Sequence, residues 1–252
     1  FLDDYPFHGL ELDFLRGVPF FPKGTGEQNC AVMTAFLGEV RAMMRRLNRR
    51  LILTARVPSS LAGCRKAGLD PIAWQRGKLI DLLAVGQFLH LFYRLPVRDF
   101  KVPESGVPVY ASLDYIVGGV WKGDMFLARE ANAEMYRGAA AAAYAAGADG
   151  IHLFNMFAPR GNGPDAGGRD TSHMEPFEVL SEIREDSTLE RRPKLYLVDT
   201  TVPRFDDPAI DVAPQLPHDT DTVLSLLLGE RQRKGKKFVL RVKRAADRPH
   251  TP

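Results

Sequence analysis

The string from His8 to Phe21, HGLELDFLRGVPFF, sets two acids two residues apart inside an apolar run. Read as a strand, it turns Glu11 and Asp13 to one face, about 6–7 Å apart, and Leu10, Leu12 and Phe14 to the other. Two carboxyls so placed suit acid–base work, in which one donates a proton and the other, ionised, acts as base or nucleophile. Burying such groups unpaired is costly, so the pattern asks for a nearby cation, and Arg16 is the nearest along the chain. The plainer alternative is a solvated strand face, or a salt-bridge network that only positions the following loop.

The same alternation nominates other residues. Asp114 shares a strand face with Tyr110 and Ser112 and falls at that strand's C-terminal end. Arg56 shares a face with Thr54, where a guanidinium can pair with Asp13 or hold a substrate group. Gln87 and His90 follow one strand, and Asn155 ends another. Tyr115, Trp121 and Phe157 are aromatics of the kind that stack on sugar faces. No metal site is expected: no two histidines stand at i and i+4, and Cys30 and Cys64 have no ligand spacing. No cofactor is expected either, since GTGE at Gly24–Glu27 and the Gly-rich run Arg160–Gly168 lack the spacing of a phosphate loop.

These groups need strands to carry them. Strands are expected at about Gly9–Leu15, Leu51–Val57, Leu79–Val85, Val107–Tyr115 and Asp149–Met156, alternating with helices as in a parallel α/β sheet. The clearest helix runs from Gln28 to Arg49 with Val32, Phe36, Val40, Met43 and Leu47 as its apolar stripe. A second spans Phe126 to Ala146 and stops at Gly147. Weaker helical patterns cover Ser59–Trp74 and Leu89–Phe100. At roughly 35 residues per βα unit, five units fit strands four to eight of a (β/α)8 barrel whose first three precede Phe1. The rival is an open doubly wound sheet, but no Gly-rich phosphate turn follows a first strand. On this reading residues 1–180 are the C-terminal portion of a (β/α)8 TIM barrel. Residues 190–252, with KLYLVDTT, TVLSLLLGE and KKFVLRVKR, begin an incomplete β-rich, sandwich-like module.

Composition bounds the rest. At 45% hydrophobic and 26% charged residues the chain can bury a core, and no window resembles an apolar membrane span. A net charge of +3 is too small to predict nucleic-acid binding; the basic clusters Arg45, Arg46, Arg49, Arg50 and Arg231–Lys237 read as solvated faces or helix ends.

The residues GLELDFLRGVP resemble the fourth-strand motif of bacterial glycoside-hydrolase-like TIM barrels, a Gly-to-Asp-aromatic run followed by Arg and Pro. TARVP, LIDLLAVG, VPVYASLDY and GADGIHLFNMF extend the resemblance over most of the first 157 residues. It implies a glycosidase-like barrel with a C-terminal β module, a carbohydrate substrate, and a periplasmic or extracellular location. The motif is also similar to chitinase-type barrels, but Leu15 stands where their proton-donor Glu would be, which argues against their substrate-assisted mechanism.

Hydrolysis of a glycosidic bond needs two carboxyls flanking it. The expectation is Asp13 paired with Asp114 across the barrel, Glu11 behind them raising the pKa of Asp13, and Arg16, Arg56, Gln87, Tyr115, Trp121 and Asn155 binding substrate. Two alternatives stand beside it: a catalytically inactive carbohydrate-binding barrel, or a lyase or isomerase acting on acidic sugars with Arg56 as carboxylate clamp.

Overall fold

Alternation along the strands divides their side chains between two environments. Leu53, Ala55, Val57, Leu83, Val85, Val109, Ala111 and Leu113 are fully buried, and each Leu or Val so placed contributes about 1.5–3 kcal/mol. Glu11, Asp13, Thr54, Arg56, Ser112 and His152 occupy the opposite face. The structure is a computed structural model that describes residues 6–16, 20–47, 50–122, 125–156, 176–197, 228 and 239; for 118–129 it describes backbone only.

The chain is α/β with a five-stranded parallel sheet. Its strands are β1 (Gly9–Asp13), β2 (Ile52–Pro58), β3 (Leu82–Gly86), β4 (Val109–Leu113) and, after a hairpin, β7 (Gly150–Leu153). They lie side by side in chain order, every neighbouring pair parallel. A doubly wound sheet reverses direction at a switch point; this order has no reversal. The hairpin pairs β5 (Ile116–Lys122) with β6 (Met125–Glu130). The helices are α1 (Cys30–Arg46), α2 (Leu61–Lys66), α3 (Pro71–Arg76), α4 (Ala133–Ala145), α5 (Val179–Glu182) and α6 (Asp186–Leu189).

One device locks the N-terminal ends of two strands. Asp81, just before β3, donates its backbone N–H to Leu53 O and accepts the Leu53 amide on its carboxylate, at 2.8 Å. Asp149, just before β7, treats Val109 the same way, at 2.7 Å. Each carboxylate is neutralised by one cation, Arg41 at 2.7 Å and Lys101 at 2.6 Å.

Several expected helices differ. On α1 the buried residues are Leu37, Arg41 and Met44, while Val32, Phe36 and Met43 of the expected stripe are 57%, 44% and 40% exposed. Arg41 sets the rotation: its Nε donates to Leu79 O and its Nη2 to Asp81, so a charged residue faces inward. Residues 126–130 are strand, not helix, because they pair with β5; the helix starts only where Asn132 accepts the Met135 amide. It stops at Gly147, as expected. Ser59–Trp74 holds two short helices, and Leu89–Phe100 only a 3-10 turn at Val97–Phe100 after Pro96.

The chain after Pro176 packs back on α4. Arg137 pairs with Glu182 at 2.6 Å, Tyr144 Oη donates to Ile183 O and Arg184 O, and Leu195 N donates to Glu134 O. Residues 193–197 carry no strand; the remainder of the expected β module lies outside the described residues apart from Leu228 and Val239, as does Phe157. Among the described residues no helix is long and apolar enough to cross a membrane.

Candidate active site

Parallel pairing puts Asp13 beside Arg56, and Ser112 beside His152. From that register a connected polar cluster forms across the sheet at the C-terminal ends of β1, β2, β4 and β7. Arg56 Nη1 donates to both Asp13 oxygens, at 3.0 and 3.1 Å, and Nε donates to Ser112 Oγ at 3.0 Å. Nη2 lies 4.0 Å from Asp114 Oδ2 and makes no hydrogen bond. The Phe154 ring covers the guanidinium, 3.4 Å from Cζ to the ring centroid, in a cation–π stack. Burial lowers the pKa of Arg56, and the charges of Asp13 and Asp114 oppose that shift.

The cluster continues outward. Ser112 Oγ lies 3.0 Å from His152 Nδ1, and His152 Nε2 lies 3.3 Å from Glu11 Oε2. With Arg56 donating into Ser112, the consistent pattern has the hydroxyl donating to Nδ1 and Nε2–H donating to Glu11. The His152 hydrogen bond holds the Glu11 carboxyl below its usual range, against a smaller opposing effect of burial.

Asp114 is different. It is 0% exposed, and burial raises its pKa to about 6 although Tyr115 N (2.7 Å) and Leu89 N (3.1 Å) donate to it. Leu89 reaches it through a left-handed backbone, φ 50°. The Asp13 and Glu11 side chains retain 27% and 36% of their surface.

The structure therefore brings together Glu11, Asp13, Arg56 and Asp114. The expected counter-charge, Arg16, does not join them; it lies 5.8 Å over the Phe88 ring, and Arg56 takes that role. Glu11 is engaged by His152. Gln87 is buried and bridges to His90 through its backbone. Tyr115 packs against the core, and Trp121 lies on β5 with its side chain outside the described residues. Asn155 follows β7 with φ 57°, off the strand alternation. His152 and Phe154 were not among the sequence candidates. The signal was available, since GIHLF places both on the face of Ser112 once β7 pairs with β4.

Among the described residues no group of three or more His, Cys, Asp or Glu side chains is placed to hold a metal ion. No protein-family model matches the chain and no curated protein matches it.

Proposed function

We propose that the sheet is strands four to eight of a (β/α)8 barrel and that its polar face is the rim of a glycoside hydrolase acting on a poly- or oligosaccharide. Strand order without reversal supports the barrel, because right-handed crossovers then place every helix on one side and leave the other face to line an interior. One observation carries the chemistry: two part-exposed acids share a strand face, each with a different partner. Asp13, clamped by Arg56, serves as the ionised nucleophile or base. Glu11, hydrogen-bonded to His152 Nε2, is the second carboxyl and delivers the proton to the leaving oxygen from its protonated form, which its lowered pKa confines to acidic pH.

Asp114 positions Arg56 and does not touch substrate. A group with no exposed surface cannot deliver a proton to a sugar, whatever its pKa. A carboxylate clamp by Arg56 finds no support for the same reason, which weighs against an acidic-sugar lyase or isomerase.

A second reading, glycan binding without turnover, is favoured by one feature. Asp13 already accepts from Arg56 and from Leu15 N at 3.1 Å, so its lone pairs are partly engaged. Product analysis on a glycan panel separates these readings. New reducing ends mean hydrolysis, an unsaturated product means elimination, and retention without products means binding alone.

A further inference from the structure

A second charged site lies at the other end of the sheet. Arg41, Arg45, Arg50 and Lys78 surround a cleft of ≈ 600 Å³ at the N-terminal ends of β2 and β3, with Asp81 the acid among them. Asp81 is already used: its Oδ2 accepts from Arg41 Nη2 and from the Leu53 amide. Among the described residues Arg45, Arg50 and Lys78 form no ion pair.

Lys78 sits where a glycine would be easier. Helix α3 ends in a Schellman motif, with Lys78 N donating to Gln75 O and Leu79 N to Trp74 O. Helix α4 ends the same way, with Gly147 N donating to Tyr144 O and Ala148 N to Ala143 O. The left-handed slot holds Gly147 at φ 94° in one and Lys78 at φ 52° in the other. A side chain in that conformation is strained, and such strain collects at binding sites. Gly77, one residue earlier, is right-handed and does not relieve it.

We infer that this cleft binds a small phosphate-bearing ligand. Three uncompensated cations match the two or more charges of a phosphate ester or pyrophosphate better than one carboxylate. The guanidinium forks and ammonium are the donors that phosphate oxygens take. The size falls within the roughly 300–1,000 Å³ of small-molecule sites, and Ile52 and Leu82 give an apolar wall for a carbon skeleton. The inference is independent of the glycosidase reading, because the cleft and the Arg56 cluster share no residue.

Calorimetric titration of the full chain with inorganic pyrophosphate tests it, alongside Lys78→Gly and Arg50→Gln. Lys78→Gly keeps or raises the melting temperature, because glycine suits the left-handed slot, yet weakens pyrophosphate binding at least about tenfold; Arg50→Gln weakens it similarly. No saturable binding, or binding that both variants leave unchanged, overturns the proposal. So does binding of single-stranded RNA without binding of pyrophosphate, which would make this a polyanion surface.

Discussion

Asp13 and Arg56 are register partners on adjacent parallel strands, and Arg56 Nη1 donates to both oxygens of the Asp13 carboxylate. Arg56 also reaches Ser112 through Nε and faces Asp114 through Nη2, so one guanidinium on β2 ties together residues from β1, β4 and the loop after β4. A fully buried cation with two carboxylates around it is the hub on which the rim depends.

Removing that hub strands two acids. Arg56→Met leaves Asp114 buried without a counter-charge and should destabilise the protein by about 3–5 kcal/mol in urea titration. Arg56→Lys keeps the charge but loses the fork that serves Asp13 and Ser112, and should recover less than half of that loss.

Asp114 makes stability fall as pH rises. Its folded pKa of about 6 lies above the ordinary 3.8, so between those values the folded state binds more protons than the unfolded one. The stability it confers is complete below about pH 4 and lost by about pH 6, a change of about 3 kcal/mol. Asp114→Asn should flatten this fall in a series of urea titrations from pH 4 to 7. It should also lower stability overall, because one carboxamide oxygen cannot serve both Leu89 N and Tyr115 N.

Glu11 behaves in the opposite sense. Its pKa is lowered, so the stability it confers is present above pH 4.5 and lost as pH falls through its folded value. In His152→Ala the hydrogen bond that lowers it is gone, and NMR titration should find the Glu11 carboxyl moved up. An unmoved titration would remove the Glu11–His152 pair from the mechanism.

Gly86 is the spacer that admits Ser112. A Cβ at Gly86 would stand 2.7 Å from both the Cβ and the carbonyl oxygen of Ser112. Gly86→Ala should therefore cost about 1–3 kcal/mol and displace the hydroxyl that links Arg56 to His152, visible as a changed His152 imidazole resonance.

The five parallel strands were legible in the sequence because each is a short apolar run in which parity decides the face. Asp13 with Arg56 was legible for the same reason, both ending strands on one face. The rotation of α1 was not, because apolar spacing at Val32, Phe36 and Met43 resembles a core stripe, while the bond from Arg41 to Asp81 exists only in three dimensions. The β6 strand was hidden by helix-forming residues that pair instead with the adjacent β5 in a hairpin. His152 was passed over because a lone histidine in an apolar strand gives no spacing pattern; it gains a role only when β7 sets it beside Ser112.

The most direct test is the release of new reducing ends from a panel of oligosaccharides by the full-length protein and by folded Asp13→Asn and Asp114→Asn variants. Asp13→Asn should lose several orders of magnitude in rate, while Asp114→Asn, altered only at a fully buried group, keeps turnover at reduced stability. Hydrolysis by Asp13→Asn at the wild-type rate would contradict the assignment of Asp13 as the ionised carboxylate of the reaction.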